Sequence, residues 1–392
     1  MNFSAFVSAA SFNVATLCVA RYAAIWCRVF VSAKSTRSAV PFCNHSRTSN
    51  RAARTSRVRS HFSASTGRCS SGTSGSTACT ATINAVDPTR AFIVWGGVRS
   101  NAGVTARALA TAVLTNSTTV TATRNSGTGS TCTVRGTVVE ATGYLVKSVQ
   151  SGTITLSAAT SGTATINAVD TSRSVVFFNG ISTPASAATL LAALHGLALT
   201  NSTTVTATAS SASSSVVAFT VVEFQPGAVD SVQDITVAAT NTNTTDTVTL
   251  APDVQPELAA LAYGGSQTST NTLDAAQVRA AIAGPSSATH VRVTGSNTKH
   301  GVAGAVIKFA AGVIRAIQRG TAAIAAGTSA NAAIAAVDTG RSWLAFLGND
   351  AAAGQTQDQA FAAAYLADDH TVTAEVSTAG TANVNFEVVS FN

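Results

Sequence analysis

The chain has 392 residues, of which 46% are hydrophobic and only 10% are charged. This length exceeds one ordinary domain, and a composition led by Ala, Thr, Ser and Val favours strands over long charged helices. The net charge of +7 is uneven, because residues 1–70 hold ten of the 24 Lys and Arg and none of the 17 acids. Residues 71–392 therefore carry 14 basic and 17 acidic groups, which argues against nucleic-acid binding by this part of the chain.

Residues 1–70 form a basic leader that we expect to be disordered or not native to the fold. Residues 2–20 are uncharged but interrupted by Ser and Asn, which is a weak pattern for a signal peptide or a membrane span. An Arg- and Ser-rich segment without acids is also typical of mitochondrial transit peptides. Three interpretations stay open: a misassigned start that is foreign to the fold, a targeting or anchoring segment, and a basic binding arm.

The rest of the chain is repetitive, and a repeat must be found before any fold is assigned. TATINAVD (80–87) recurs at 163–170 and, in degenerate form, as AAIAAVD at 332–338. TNSTTVTAT (115–123) recurs unchanged at 200–208, and TVVE (137–140) returns as TVVEF, AVIKF and EVVSF. The shared period predicts four units, which we place at residues 71–147, 148–230, 231–315 and 316–392.

Each unit opens with two strand patterns and a turn. Stretches such as SVQSGTITL and GTATINAV alternate polar with apolar residues, as half-buried strands do. The turn that follows reads AVDPTR, AVDTSR or AVDTGR, in which Asp accepts hydrogen bonds from nearby amides. We interpret its acid and base as turn-stabilising pairs: Asp87 with Arg90, Asp170 with Arg173, and Asp338 with Arg341.

The next strand in each unit (AFIVWGG, SVVFFNG, LAALAYGG or SWLAFLG) is apolar enough to be central and buried. A less regular loop follows it, at about residues 98–108, 181–195, 266–280 and 349–362, and its pattern leaves a short helix or an extra strand undecided. Because loops on a rigid scaffold often carry recognition, we expect surface contacts in these loops. The candidate contact residues are Asn101, Thr183, Ser266 and Asp350.

Six or seven short strands per unit predict an all-β fold, a tandem array of four small antiparallel β-sandwiches of about 80–85 residues. A four-bladed propeller is the main structural alternative, although these units are long for a four-stranded blade. The short connections between units favour a closely coupled rod or arc. The third unit departs most, since DVQPEL and PSSATH replace the usual turn and hairpin sequences.

Motifs for chemistry are missing from the sequence, including a Walker loop, G-x-S-x-G and zinc-ligand spacings. The six histidines do not recur at equivalent positions, and we interpret them as surface or loop residues. Asp368, Asp369 and His370 are interpreted as a solvated hairpin turn, while Cys79 and Cys132 either pair or are two isolated small hydrophobic residues. We therefore expect no enzymatic activity, no cofactor and no metal site.

The succession GTATINAVDPTRAFIVWGG, LTNSTTVTATR, TVVEF and SVQSGT resembles tandem repeats in virion structural proteins of tailed bacteriophages, particularly tail-fibre-like or surface-decorating proteins. The resemblance covers residues 76–392 and carries no catalytic residue. It implies a structural or adhesive virion protein that makes multivalent contact with other virion proteins and a host-surface glycan, without a membrane partner. It also implies a homo-oligomer, a trimer in the case of a fibre.

A secreted bacterial surface adhesin or a lectin-like carbohydrate-binding protein is the alternative, and a glycan-degrading enzyme, which would need a cluster of carboxylates in one cleft, also stays open. The strand order alone is similar to the six-stranded sandwich of H-type lectins, which is an analogy of fold and not of site.

Overall fold

The computed structural model describes residues 57–66, 77–125, 130–141, 144–184, 189–241, 243–293 and 300–392. All of them belong to one compact unit, Thr48–Asn392. This unit is built mainly from antiparallel strands that form facing sheets, which confirms the predicted all-β sandwich class. Residues 1–56 and 67–70 of the predicted leader lie outside the described residues.

The four sequence repeats contribute similar strands in the same order. Repeat 1 holds β1 (Arg57–Thr66), β2 (Ala78–Thr82), β3 (Ala91–Ser100), β4 (Thr111–Asn116), β5 (Thr119–Thr123) and β6 (Cys132–Glu140). Repeat 2 holds β7 (Val146–Thr155), β8 (Ala159–Thr165), β9 (Ser174–Ser182), β10 (His195–Asn201), β11 (Thr204–Ser213) and β12 (Val216–Phe224). Repeat 3 holds β13 (Val229–Asp234), β14 (Val237–Asn241), β15 (Thr245–Thr249), β16 (Ala259–Thr268), β17 (Arg279–Gly284), β18 (Ser287–Val291) and β19 (His300–Phe309). Repeat 4 holds β20 (Ile314–Ala333), β21 (Ser342–Ala351), β22 (Ala363–Leu366) and β23 (Thr371–Phe391).

Repeats 1, 2 and 3 each divide their strands between two sheets, whereas all strands of repeat 4 lie in one sheet. One six-stranded sheet has the order β2-β5-β4-β9-β12-β7, so its first half comes from repeat 1 and its second half from repeat 2. The next sheet joins β13, β19 and β16 of repeat 3 to β10, β11 and β8 of repeat 2. In repeat 4 the long strands β20 and β23 pair along most of their length, and they link the remaining half-sheets into one ten-stranded sheet.

The four repeats close into a ring. Single bridges join neighbouring repeats at Thr111 and Gly180, at Gly196 and Gly265, at Arg279 and Gly348, and at Ala363 and Gly97. The last bridge connects repeat 4 back to repeat 1, so the open rod or arc expected from the short connections is wrong. An open array would leave one strand edge unpaired at each end, and closure pairs those two edges with each other.

Strand β1 corrects the predicted boundary of the leader. Residues 57–66 pair antiparallel with β6, from Arg57 opposite Glu140 to Thr66 opposite Cys132. The equivalent strand β7 pairs with β12 in repeat 2. The sequence pattern assigns residues 57–66 to the leader because TGRCS, near the expected start of the first unit, shows no strand pattern like SVQSGTITL.

The centre of the ring contains a solid aromatic core. Phe92 stacks on Phe177 with ring centroids 5.1 Å apart, and Trp343 meets the Phe92 ring edge-on at 5.7 Å. Repeat 3 contributes the small residues Ala260 and Ala262 to the same core, which leaves room for these large rings.

Candidate functional site

Each repeat carries, within its buried central strand, an aromatic residue followed two positions later by a glycine. The four pairs are Trp95 and Gly97, Phe178 and Gly180, Tyr263 and Gly265, and Phe346 and Gly348. All four glycines have positive φ, between 86° and 97°, which residues with a side chain rarely adopt.

A cyclic contact explains why these positions are glycine. A Cβ atom on Gly180 would lie 2.2 Å from the Ala110 carbonyl oxygen and 2.7 Å from the Trp95 ring, both in the preceding repeat. The same relation recurs around the ring, with Phe178 beside Gly265, Tyr263 beside Gly348 and Phe346 beside Gly97. Each aromatic ring therefore packs over the glycine of the next repeat, and the fourth ring packs over the first glycine.

A cavity of about 80 Å³ lies on the ring axis next to these aromatic residues. Each repeat lines it with the same five positions: the aromatic residue, the glycine, the residue after that glycine, and a pair that precedes or opens the next strand. The pairs are Leu109 with Ala110, Leu194 with His195, Gln277 with Val278, and Phe361 with Ala362. This fourfold lining places the cavity where all four repeats meet.

Two polar side chains in the lining have an atom without a hydrogen-bond partner in the described part of the chain. The His195 side chain is fully buried; its Nδ1 lies 3.1 Å from the Ala193 carbonyl oxygen, and its Nε2 is unpartnered. Gln277 is 4% exposed; its Nε2 donates to the Ala360 carbonyl oxygen at 3.0 Å, and its Oε1 is unpartnered. Burial lowers the pKa of His195 to about 4, so the imidazole is neutral near pH 7.

The four variable loops each contain one helical turn, which settles the choice between helix and strand. The turns are α1 (Thr105–Ala108), α2 (Leu190–Ala193), α3 (Leu273–Ala276) and α4 (Gln357–Ala360). Neighbouring loops touch in a circle. Gln357 of α4 donates to Thr105 of α1 at 2.6 Å, and the Leu190 amide of α2 donates to Asn271 beside α3 at 2.9 Å. With the contact between α1 and α2 and the bond from Gln277 to α4, the loops form one continuous end of the ring.

Three of the four candidate contact residues are buried, so their prediction as surface residues is wrong. Thr183 is 2% exposed, Ser266 is 7% exposed and lines the cavity, and Asp350 is 2% exposed. For Ser266 and Asp350 the reason is that β16 and β21 continue past their glycines into the region assigned to loops, and Thr183 directly follows the buried strand β9. Asp350 instead pairs with Arg279 of repeat 3 at 2.5 Å. Asn101 is exposed, and its Oδ1 accepts a hydrogen bond from the Thr131 amide at 2.6 Å.

The interpretation of all histidines as surface or loop residues is wrong for His195 and His290, whose side chains are fully buried. His290 lies within β18 opposite Asp246 of β15, and His195 opens β10 at the cavity. An alignment of the four loop ends would have shown His195 and Gln277 as polar residues at positions that are apolar in other repeats.

The Asp and Arg residues of the repeated turns lie close together. The nitrogen–oxygen distances are 3.8 Å for Arg90 and Asp87, 2.8 Å for Arg173 and Asp170, and 3.6 Å for Arg341 and Asp338. Hydrogen bonds from the Ser172 hydroxyl and from Arg173 lower the pKa of Asp170 to about 2. These carboxylates also accept backbone amides two residues on, which is a turn-forming arrangement.

Two further groups noted in the sequence have no connection to the cavity lining. Asp368, Asp369 and His370 lie exposed in the turn between β22 and β23, where Asp369 and His370 are 2.7 Å apart. Cys79 and Cys132 both carry thiols rather than a disulfide, and the Cys132 thiol contacts the Ala108 carbonyl oxygen at 3.6 Å.

Comparisons with protein-family models, curated proteins and solved structures gave no match to this chain. A search of the described helices for one long and apolar enough to span a membrane found none.

Proposed function

We propose that this protein is a non-enzymatic structural or adhesive component of a phage virion, either a tail fibre or a surface decoration. The observation that carries the proposal is the circle of four variable loops at one end of a rigid ring. The repeats resemble those of virion proteins, and this circle of loops gives the molecule a defined surface for contact.

The loop end combines a rigid base with exposed tips. The base is the aromatic core and the bonded circle of helical turns described above. The tips include Val104, which is 48% exposed, and exposed polar residues at Asn101, Asn271 and Thr356. A rigid scaffold with exposed loop residues suits recognition, because little conformational entropy is lost on binding.

Fourfold repetition favours contact with a polyvalent surface such as a cell-surface glycan. Several weak contacts presented together strengthen binding about 10²–10⁴-fold over a single contact when their spacing fits the target. The same geometry would serve a secreted bacterial adhesin, and the two hypotheses differ in the genes that surround the coding sequence.

The direct test of the virion proposal is to sequence the DNA on both sides of the gene. Capsid, portal or tail genes alongside it are the expected result, and they would also identify the host bacterium. A position within a bacterial surface-protein or secretion operon would overturn the proposal in favour of the adhesin.

The contact face is tested by measuring adhesion of the purified full chain to cells of that host. We expect Val104→Asp to weaken adhesion by about tenfold, because it places a charge on the loop end. Tyr144→Asp is the control, since Tyr144 is another exposed large hydrophobic residue, 68% exposed, at the connection between repeats 1 and 2. Equal adhesion by the two variants would exclude the loop end as the contact face.

A further inference from the structure

The ring allows its own repeats to be compared position by position at the cavity. Where repeat 2 has His195, the other repeats have Ala110, Val278 and Ala362. Where repeat 3 has Gln277, the others have Leu109, Leu194 and Phe361. The scaffold therefore accepts apolar residues at both positions, and closure of the ring does not require the two polar side chains.

The unpartnered atoms of these side chains are both hydrogen-bond acceptors. When Nδ1 of His195 donates to the Ala193 carbonyl oxygen, neutral imidazole leaves Nε2 as an acceptor. The amide nitrogen of Gln277 donates to the Ala360 carbonyl oxygen, and its Oε1 is likewise an acceptor without a donor. A buried acceptor without a donor costs about 1–3 kcal/mol. A bound molecule that donates hydrogen bonds to both acceptors would therefore be stabilised in this cavity.

The cavity also limits the size and charge of that guest. Its volume of about 80 Å³ exceeds the roughly 10–15 Å³ that one water molecule requires, so it has room for several water molecules or for a small organic molecule. Asp, Glu, Lys and Arg do not occur among the described residues of the lining, so an ionised guest would lack a counter-charge. The aromatic and aliphatic walls favour a guest with one apolar end.

We propose that the axial cavity is a binding site for a small neutral molecule with an amide NH₂ group, which donates hydrogen bonds to Nε2 of His195 and Oε1 of Gln277. A primary carboxamide with a short aliphatic end fits the volume, the two acceptors and the apolar walls together. The site is separate from the exposed loop tips, so this proposal does not depend on the adhesive role, and each can be tested without the other.

Acetamide and acetone form a matched pair of probes, because they have the same shape and differ in whether NH₂ or CH₃ occupies one end. Ligand-observed NMR titration of the full chain should show saturable acetamide binding in the millimolar range, which is what four heavy atoms can support. Acetone should bind at least about tenfold more weakly, since it leaves both acceptors unpaired.

Gln277→Leu and His195→Val install residues that other repeats already carry at these positions, which keeps the variants compatible with the fold. Each should weaken acetamide binding about tenfold and leave acetone binding unchanged or stronger. If His195→Val does not fold, Gln277→Leu alone decides the outcome. Equal binding of the two probes, unchanged acetamide binding in the folded variant, or a cavity that takes up only water would overturn the proposal.

Discussion

At the scale of single residues, the burial of His195 carries an energetic cost. It is fully buried, and burial lowers its pKa from 6.5 to about 4 although the Ala193 carbonyl oxygen accepts its Nδ1 proton. The three equivalent residues in the other repeats are Ala or Val, which carry no such cost.

The pKa of His195 predicts a pH dependence of stability. Below pH 6.5 the unfolded chain gains a proton at this residue, whereas the folded chain does not until about pH 4. The stability of the fold with a neutral His195 is therefore fully present above pH 6.5. The free energy of unfolding then falls by about 2 kcal/mol between about pH 7 and about pH 5, because only the unfolded chain gains the proton. His195→Asn keeps a donor near the Ala193 carbonyl oxygen but does not titrate. Urea unfolding of both proteins at the two pH values should show a smaller loss in the variant, and equal losses would rule out a buried neutral imidazole.

At the scale of elements, the central strands and their glycines decide how the repeats join. Gly180 adopts φ +94° and approaches the Ala110 carbonyl oxygen of the preceding repeat so closely that no Cβ fits. The equivalent glycines in β3, β16 and β21 make the same approach. These strands therefore define both the buried core and the joints between repeats.

Substitution of one joint glycine should be far more damaging than substitution of a glycine in open space. Gly180→Ala forces a side chain into a left-handed backbone and a contact of 2.2 Å, and we expect a loss of about 3 kcal/mol in the free energy of unfolding. A Cβ on Gly103, in the loop between β3 and β4, would meet nothing within 4 Å, so Gly103→Ala is the control, with an expected change below about 0.5 kcal/mol. Similar losses in chemical denaturation would contradict the close approach at the joint.

The sequence predicts most strands well because each has a local pattern, either alternating polar and apolar residues or a continuous apolar run. It does not predict which strands lie next to one another between repeats, because AFIVWGG has the pattern of a buried strand regardless of which repeat supplies the neighbouring strand. The candidate contacts failed for a related reason: Ser266 and Asp350 are polar, yet they remain inside strands whose far ends are covered by other repeats. The sequence alone does not group the lining residues of the axial cavity, because they come together only when the four repeats close into a ring.

At the scale of the whole molecule, closure brings together residues from the first and last repeats. Glu375 of repeat 4 pairs with Arg135 at 2.8 Å and with Arg99 at 3.0 Å, both in repeat 1. The guanidinium of Arg135 also lies 4.2 Å from the ring centroid of Tyr365 in repeat 4. The Glu375 side chain is only 12% exposed and pairs with both arginines. If repeat 4 were separated from repeat 1, both guanidinium groups would lose this carboxylate, so the shared ion pair favours the closed arrangement of the repeats.

The contact between α1 and α4 allows the closed ring to be tested directly. The side chains of Thr105 and Gln357 are 2.6 Å apart and 252 residues apart in sequence. In a chain whose six native cysteines are replaced by Ala, a double variant with Thr105→Cys and Gln357→Cys should be cross-linked within one molecule by a short bifunctional thiol reagent that spans about 5 Å. Thr105→Cys with Leu273→Cys is the control, since Leu273 is the equivalent first residue of α3, across the ring in repeat 3. A monomer-sized species with an internal cross-link in the first pair alone is the predicted result; cross-links only between molecules, or equal yields in the two pairs, would contradict a closed ring of four repeats.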